Sequence, residues 1–342
     1  MTSATRKFAY AFGVIALLTV AWIGSRLYAL RMEPLTEKTA VIKLPRTGDM
    51  TNVLDSLLQY GIVTDTSKLI AAIDRYGLRY RPGQFEIEEN WSAKKLIDHL
   101  RAGAQEEARV VLTNARLIGD VAAKATRFIE LDSAELHDAV LDSVWLDSVG
   151  LTRETAMTIF VPNTYNVYWS ASGKEVRDRL YNESKRFWDK NDRRSKADSL
   201  GLTPEEVYTV ASIVESESNH KPEKPTIAGV YLNRLRLGIK LDADPTVIFA
   251  IGDYGIRRVL FKHLEYDSPY NTYLYAGVPP GPISMAGISS IDAVLNPEQH
   301  DYLFFVTKGD GTGTHMFAKN MSGHSRNIRT FQQTLRRRGI RR

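Results

Sequence analysis

Two carboxylic acids, Glu215 and Glu217, close the stretch Thr203-Pro204-Glu205-Glu206-Val207-Tyr208-Thr209-Val210-Ala211-Ser212-Ile213-Val214-Glu215-Ser216-Glu217, whose pattern predicts a helix. Thr203 suits the N-cap, Pro204 the first helical position, and Glu206 stands three residues after the cap, so the start signals agree with one another. At about 100° per residue, Val207, Val210, Ala211 and Val214 form one apolar stripe. Glu215 falls one turn beyond Ala211 on the edge of that stripe, and Glu217 projects from the opposite edge. A carboxyl group half sunk among apolar neighbours loses hydration of its charged form. Its pKa rises, and it can hold a proton to donate near neutral pH. Glu215 is therefore the candidate proton donor. The alternative is that both acids are solvated residues near a helix end, as exposed Glu generally is.

Three irregular segments have the composition of a carbohydrate cleft: Phe160-Val161-Pro162-Asn163-Thr164-Tyr165 followed by Tyr168 and Trp169; Tyr270-Asn271-Thr272-Tyr273; and Gly277-Val278-Pro279-Pro280-Gly281-Pro282-Ile283. Aromatic rings offer flat faces to sugars, Asn and Thr supply directed hydrogen bonds, and prolines hold a loop with little left to order on binding. Each segment alone also reads as an ordinary turn. Asp244-Pro245-Thr246 has a structural reading too, with Asp244 capping a short helix through Ile248 and Ala250. Asn233 and Arg234 belong either to a helix surface or to a cleft floor. His315 is either a packed strand residue or a proton carrier.

The elements that must position these groups begin with an apolar segment. From Phe8 to Ser25 no group ionises at ordinary pH except the Tyr10 phenol, and the run of about 18 residues spans about 27 Å as a helix, close to a hydrocarbon core. Trp22 and Tyr28 sit where interfacial aromatics sit. The run is long for a cleaved signal and no small-x-small site follows it, which favours an uncleaved anchor. Arg6 and Lys7 on one side are matched by Arg26 and Arg31 on the other, so basic residues do not set the orientation. The short leading tail makes an inside N-terminus the easier topology.

The chain has 342 residues, 43% hydrophobic and 25% charged, and no Cys, so disulfides, thiolate nucleophiles and Cys-based metal sites are excluded. The net charge of +5 is partly concentrated at Arg336, Arg337, Arg338, Arg341 and Arg342. Beside a membrane anchor, such a tail suits solvent or lipid headgroups better than nucleic acid, and no element interleaves basic and aromatic residues. No glycine-rich phosphate loop or paired-His helix is present, and neither metal nor cofactor is expected.

From about Val41 to Gly103 the pattern predicts a strand at Ala40 to Leu44, a helix carrying Val53, Leu54, Leu57 and Leu58, and a second helix around Ser67 to Tyr76. A turn at Pro82-Gly83, a strand at Gln84 to Glu88 and a third helix capped by Ser92 follow, with Leu96, Ile97 and Leu100 inward. Strand, helix, helix, strand resembles the lysin-motif (LysM) fold, a small sugar-polymer-binding module; a generic α+β spacer is the alternative. From about Arg109 a larger α+β unit is expected. It has a strand at Arg109 to Leu112, helices near Leu117 to Phe128, Ser133 to Leu141 and around Val176 to Trp188, and a helix from Ile227 to Leu237 stopped by Gly238. A hairpin pairing Tyr302 to Thr307 with His315 to Ala318 completes it.

Taken in order, Ala211-Ser212-Ile213-Val214-Glu215-Ser216-Glu217, Tyr231-Leu232-Asn233-Arg234-Leu235, Asp244-Pro245-Thr246-Val247, Tyr270-Asn271-Thr272-Tyr273 and Pro279-Pro280-Gly281-Pro282-Ile283 resemble the endolytic murein transglycosylases, the YceG-like family. The resemblance runs through His315 and Phe317. It implies an α+β protein with a cytoplasmic tail at 1–7, a transmembrane helix at 8–28, a linker at 29–40, a LysM-like subdomain at 41–106, a catalytic domain at 107–335 and a basic tail at 336–342. It further implies a single-pass inner-membrane lyase with its bulk outside the cytoplasm. Such an enzyme cuts β-1,4 bonds between N-acetylmuramic acid and N-acetylglucosamine inside nascent glycan strands, leaves 1,6-anhydro ends and so terminates strand elongation. Peptidoglycan strands, the inner membrane and the peptidoglycan synthases are the partners it implies.

Glu215 matches the family's catalytic glutamate. The candidate substrate contacts are Glu217, Asn233, Arg234, Asp244, Thr246, Tyr270, Asn271, Thr272, Tyr273, Pro280, Gly281 and His315. One acid serving twice suits a lytic reaction, in which the muramic C6 hydroxyl attacks C1 and no water needs activating. The chain departs from the family where many members carry Glu-Gly ahead of Pro-Asp-Thr-Tyr. Met157-Thr158 and Asn163 stand there instead, so acidic roles at those places do not transfer. A hydrolytic muramidase and a noncatalytic wall-binding tether are the rival functions.

Overall fold

The computed structural model describes residues 3–340. Met1, Thr2, Arg341 and Arg342, from the ends of the two expected tails, lie outside the described residues. Contacts divide the chain into two units. One holds the described residues through Ala108 together with 128–131 and 166–171, and the other holds the rest.

The first unit opens with α1 (Ser3–Met32), a 30-residue helix. Its stretch Arg6–Met32 is long and apolar enough to cross a bilayer, and Phe8 and Leu17 on it are 80% and 72% exposed. The helix runs on into what was expected to be linker, because Leu30 in its last turn packs into the unit's own core. There follow β1 (Ala40–Leu44), α2 (Met50–Gln59), α3 (Ser67–Tyr76), β2 (Gly83–Ile87) and α4 (Ala93–Ala102). β1 and β2 pair antiparallel, with Ala40 opposite Ile87 and Leu44 opposite Gly83. Alternation turns Ile42, Leu44, Phe85 and Ile87 inward against Leu57, Leu69, Leu96 and Ile97. Asp49 caps α2 by accepting from Thr51 N at 2.8 Å, and Ser92 caps α4 by accepting from Lys95 N. Of the four apolar residues expected inward on α2, Val53 and Leu57 are buried, while Leu58 is 44% exposed.

Further along the chain come β3 (Glu107–Val111), α5 (Ile118–Ala125), α6 (Ser133–Val140), α7 (Ser143–Val149), a 310 turn at Ala156–Ile159, β4 (Thr164–Tyr168), α8 (Gly173–Trp188) and α9 (Arg193–Ser199). They lead to α10 (Pro204–Glu217), a second 310 turn at Lys221–Glu223, α11 (Lys224–Arg236), α12 (Asp244–Ile251), α13 (Phe261–Leu264), α14 (Ile288–Leu295), β5 (Phe304–Thr307), β6 (His315–Ala318) and α15 (Met321–Arg337). β3 pairs with β4, and β5 with β6 in an antiparallel hairpin that sets Phe305 opposite Phe317 and Thr307 opposite His315.

Four local expectations need correction. The segment at Thr164–Tyr168 is a strand rather than irregular chain, and Tyr165 is a buried packing residue whose hydroxyl donates to the Val161 carbonyl at 2.5 Å. Asp244 is the first residue of α12, not its cap; the cap position is Ala243. Helices α7, α9, α13, α14 and α15 were not anticipated, because their apolar faces are short or interrupted. α10 begins as expected, with the Thr203 hydroxyl accepting from Glu206 N at 3.1 Å and Glu206 returning the bond to Thr203 N. Yet every residue from Val207 to Val214 is buried, Tyr208, Thr209, Ser212 and Ile213 included. The helix has no solvent face over those two turns, and an amphipathic stripe does not describe it.

Candidate active site

The last turn of α10 carries the two acids, roughly 160° apart around the helix, and their surroundings differ. Glu215 is held from three directions. Its Oε2 accepts from Lys224 Nζ at 2.7 Å, where α11 begins, and from Ser290 Oγ at 2.5 Å on α14. Its Oε1 accepts from Asn114 Nδ2 at 3.1 Å, in the loop before α5. Gly287 lies so close that a Cβ there would come within 2.7 Å of Oε2. Burial alone pushes this carboxyl up. The Lys224 and Ser290 hydrogen bonds, the Lys224 charge and the Asn114 amide together outweigh it and hold Glu215 below the ordinary carboxylate range. These contacts favour the ionised form of Glu215, whereas the helix stripe led to the expectation of a proton holder. Periodicity places a side chain relative to its own helix and says nothing of a lysine across the next turn.

Glu217 has the other character. It sits half-buried in a groove of about 450 Å3 whose walls include Tyr231, Asp244, Tyr273, Phe304, Phe305, His315 and His324. Its Oε1 accepts from the Tyr231 hydroxyl at 2.7 Å. Burial raises its pKa, the Tyr231 bond opposes the rise, the Asp244 charge adds to it, and the balance is about 7. An acid of that strength in a concave, aromatic-walled site can donate a proton at neutral pH and take one back.

The remaining expected contacts divide into groove walls and hidden struts. Tyr273 and Asp244 face the groove together, the tyrosine hydroxyl donating to Asp244 Oδ1 at 2.7 Å. His315 lines it as well, with its Nδ1 3.0 Å from Glu223 Oε2, its backbone N–H donating to Glu223 Oε1 at 2.9 Å, and its ring edge-on to Phe305. Arg234 contributes to the wall, but its guanidinium is consumed by the Leu303, Lys240 and Leu241 carbonyls and by Asp242 Oδ2 at 2.7 Å. Asn233 donates to the His300 and Tyr302 carbonyls. Thr246 and Thr272 are buried, with their hydroxyl oxygens 2.8 Å apart, and Asn271 is buried with its amide on the Leu264 and Tyr266 carbonyls. Tyr270 packs its ring against Phe249, and burial pushes its phenol up to about 12. Pro280 is exposed and Gly281 is buried against the Glu154 backbone. Asn233, Thr246, Asn271 and Thr272 therefore spend their polar atoms on the protein itself.

Sequence reasoning missed Lys224, Ser290 and Asn114 around Glu215, and Tyr231, Phe304, Phe305 and His324 around Glu217. Tyr231 stood inside a quoted motif without a role. The others carry no local signal, since Ser290 lies 75 positions from Glu215 and meets it only through the packing of α14 on α10.

Residues 42–330 match the YceG-like family. Over 120 residues the chain is 44% identical to an endolytic murein transglycosylase of Bacillus subtilis (strain 168), covering 35% of this chain and 32% of that protein. Over 282 residues it is 27% identical to an endolytic murein transglycosylase of Streptococcus pneumoniae serotype 2 (strain D39 / NCTC 7466), covering 72% of this chain and 50% of the relative. The chain thus spans half or less of the length of these curated relatives. Among solved structures, a yceG-like protein of Listeria monocytogenes superposes with a TM-score of 0.56 at 22% identity, over 84% of this chain and 98% of that one, a likeness of fold.

Proposed function

The chain belongs to the YceG-like family, and from that premise we propose that it is an endolytic peptidoglycan lytic transglycosylase, anchored by α1, in which Glu217 is the proton donor. The observation that carries the assignment is the Glu217 carboxyl, near pKa 7 and inside the aromatic groove, beside a Glu215 that is ionised and clamped. The expectation that put the acid at Glu215 rested on stripe geometry and on the family motif, and the two acids are only two positions apart.

In the proposed reaction the protonated Glu217 gives its proton to the oxygen joining muramic C1 to the next sugar. The C1–O bond breaks and positive charge develops at C1. The Glu217 carboxylate then takes the proton of the muramic C6 hydroxyl as that oxygen bonds to C1. One bond breaks and one forms, no water is consumed, and the acid is regenerated. The rings of Phe304 and Phe305, part-exposed in the groove wall, suit stacking on sugar faces. A nascent strand near the bilayer suits an enzyme tethered by an apolar helix, with termination of strand growth as the consequence and proximity to peptidoglycan synthases implied. The β1-α2-α3-β2 order supports a LysM-like, wall-binding role for the first unit.

One observation favours a hydrolytic alternative: Asp244, held by Tyr273, brings a second carboxylate into the groove where it could activate water. Mass spectrometry of the ends released from purified glycan strands separates the two, since hydrolysis adds water and leaves reducing ends. Wild type is expected to give anhydro ends, and Glu217→Gln to lose about 10^2- to 10^4-fold in rate. Full activity in that variant, or reducing ends from wild type, rejects the proposed chemistry.

A further inference from the structure

We propose that the Glu215–Lys224 ion pair is a positioning device for the reactive carboxyl of Glu217, binding the end of α10 to α11, α14 and the loop before α5. The inference rests on Glu217 being the proton donor. Lys224 is 3% exposed and Glu215 16%, and each is the other's charge partner at 2.7 Å. Lys224 Nζ also reaches Ser289 Oγ at 3.4 Å. Two bonds therefore tie the last turn of α10 to α11. One is ionic, from Glu215 to the first residue of the helix, and the other runs from Tyr231, two turns further along, to Glu217.

Ser290 and Asn114 add α14 and the loop to the same anchor. None of the three donors to Glu215, Asn114, Lys224 and Ser290, lines the groove that Glu217 faces. The anchor sits two residues from Glu217, where a small shift of the helix end is felt in full by the reacting carboxyl. A displacement of about 1 Å in such a group costs on the order of 10^2-fold in rate.

The test compares Glu215→Gln, Lys224→Met and the double variant in the full-length chain in detergent, by end-group release from pH 5 to 9, with thermal unfolding of each. Either single change strips one buried charge of its partner and is expected to cut kcat about 10- to 100-fold with little change in KM. The double variant removes both charges and is expected to recover most of the lost rate and of the unfolding temperature. The alkaline limb of every active variant should stay at the wild-type position, because Glu217 is untouched.

A double variant that folds like wild type yet is as slow as Glu215→Gln overturns the proposal, as do single variants with undiminished rates. Singles that fail to fold leave the double variant to decide. The underlying assignment fails separately, and is recognised separately, if Glu217→Gln retains activity.

Discussion

At the scale of the residue, two glutamates of the same helical turn are pushed in opposite directions by their neighbours, Glu215 below the ordinary carboxylate range and Glu217 up to about 7. Tyr231 donates to the ionised form of Glu217 and Asp244 repels it, so their removal has opposite signs. The rate should fall as pH rises through about 7, where Glu217 loses its proton. Tyr231→Phe should move that alkaline limb upward and Asp244→Asn downward, read from kcat/KM against pH. Limbs that move together, or not at all, would assign the titration to another group.

Stability gives an independent reading. Because the folded-state pKa of Glu217 is raised from 4.5 to about 7, its contribution is fully present below 4.5 and is lost as pH rises through about 7. Glu217→Gln should therefore unfold at a higher temperature than wild type at pH 8, and at nearly the same temperature at pH 5. For Glu215 the sign reverses. Its pKa is lowered from 4.5, so its contribution is present above 4.5 and is lost as pH falls through the lower folded value.

At the scale of the element, α10 is a buried axle. Its cap and first turn are set locally, but its function comes from what packs around its last turn. α11 supplies Lys224 and Tyr231, α14 supplies Ser290, and the β5–β6 hairpin supplies Phe305 and His315, the latter fixed by Glu223 from the turn that opens α11. The Pro279-to-Ile283 segment is seated by a close backbone approach. The Ile283 N–H donates to Ser212 Oγ on α10 at 3.0 Å, and Gly281 sits where a Cβ would run into the Glu154 carbonyl oxygen. Since backbone cannot give way as a flexible side chain can, Gly281→Ala should destabilise by about 1–3 kcal/mol, measured as a lower denaturant midpoint at unchanged slope. An unshifted midpoint would mean that the loop is free to move off Glu154.

At the scale of the whole molecule, α1 is both long and apolar enough to cross a bilayer and packed at its C-terminal end. Arg6–Met32 is apolar enough for a bilayer, while Leu30 belongs to the core of the first unit together with Leu96 and Ile97. Truncation should register the difference. A chain beginning at Ser25 keeps Leu30 and should fold as wild type while leaving the membrane fraction. A chain beginning at Glu33 loses that side chain, worth about 1.5–3 kcal/mol when fully buried, and should unfold at a lower temperature. Equal stability of the two truncated chains would show that Leu30 contributes nothing to the unit.

What the order of residues settled unaided was local or periodic: the apolar span, the Thr203 cap and start of α10, the β1-α2-α3-β2 order, the hairpin at Phe304 to Ala318, and the family to which the ordered motifs belong. Those features depend on neighbours within a turn or on spacing along one strand, which a linear chain displays. Tertiary packing alone set the contrasting surroundings of the two glutamates, on which the proposed role of Glu217 rests. Lys224 crosses a turn to neutralise Glu215, α14 brings Ser290 from 75 positions away, and Tyr231, Asp244 and the aromatic wall close around Glu217 from separate elements. A pKa depends on charges and solvent in three dimensions, and the helix stripe that pointed to Glu215 carries no information about either.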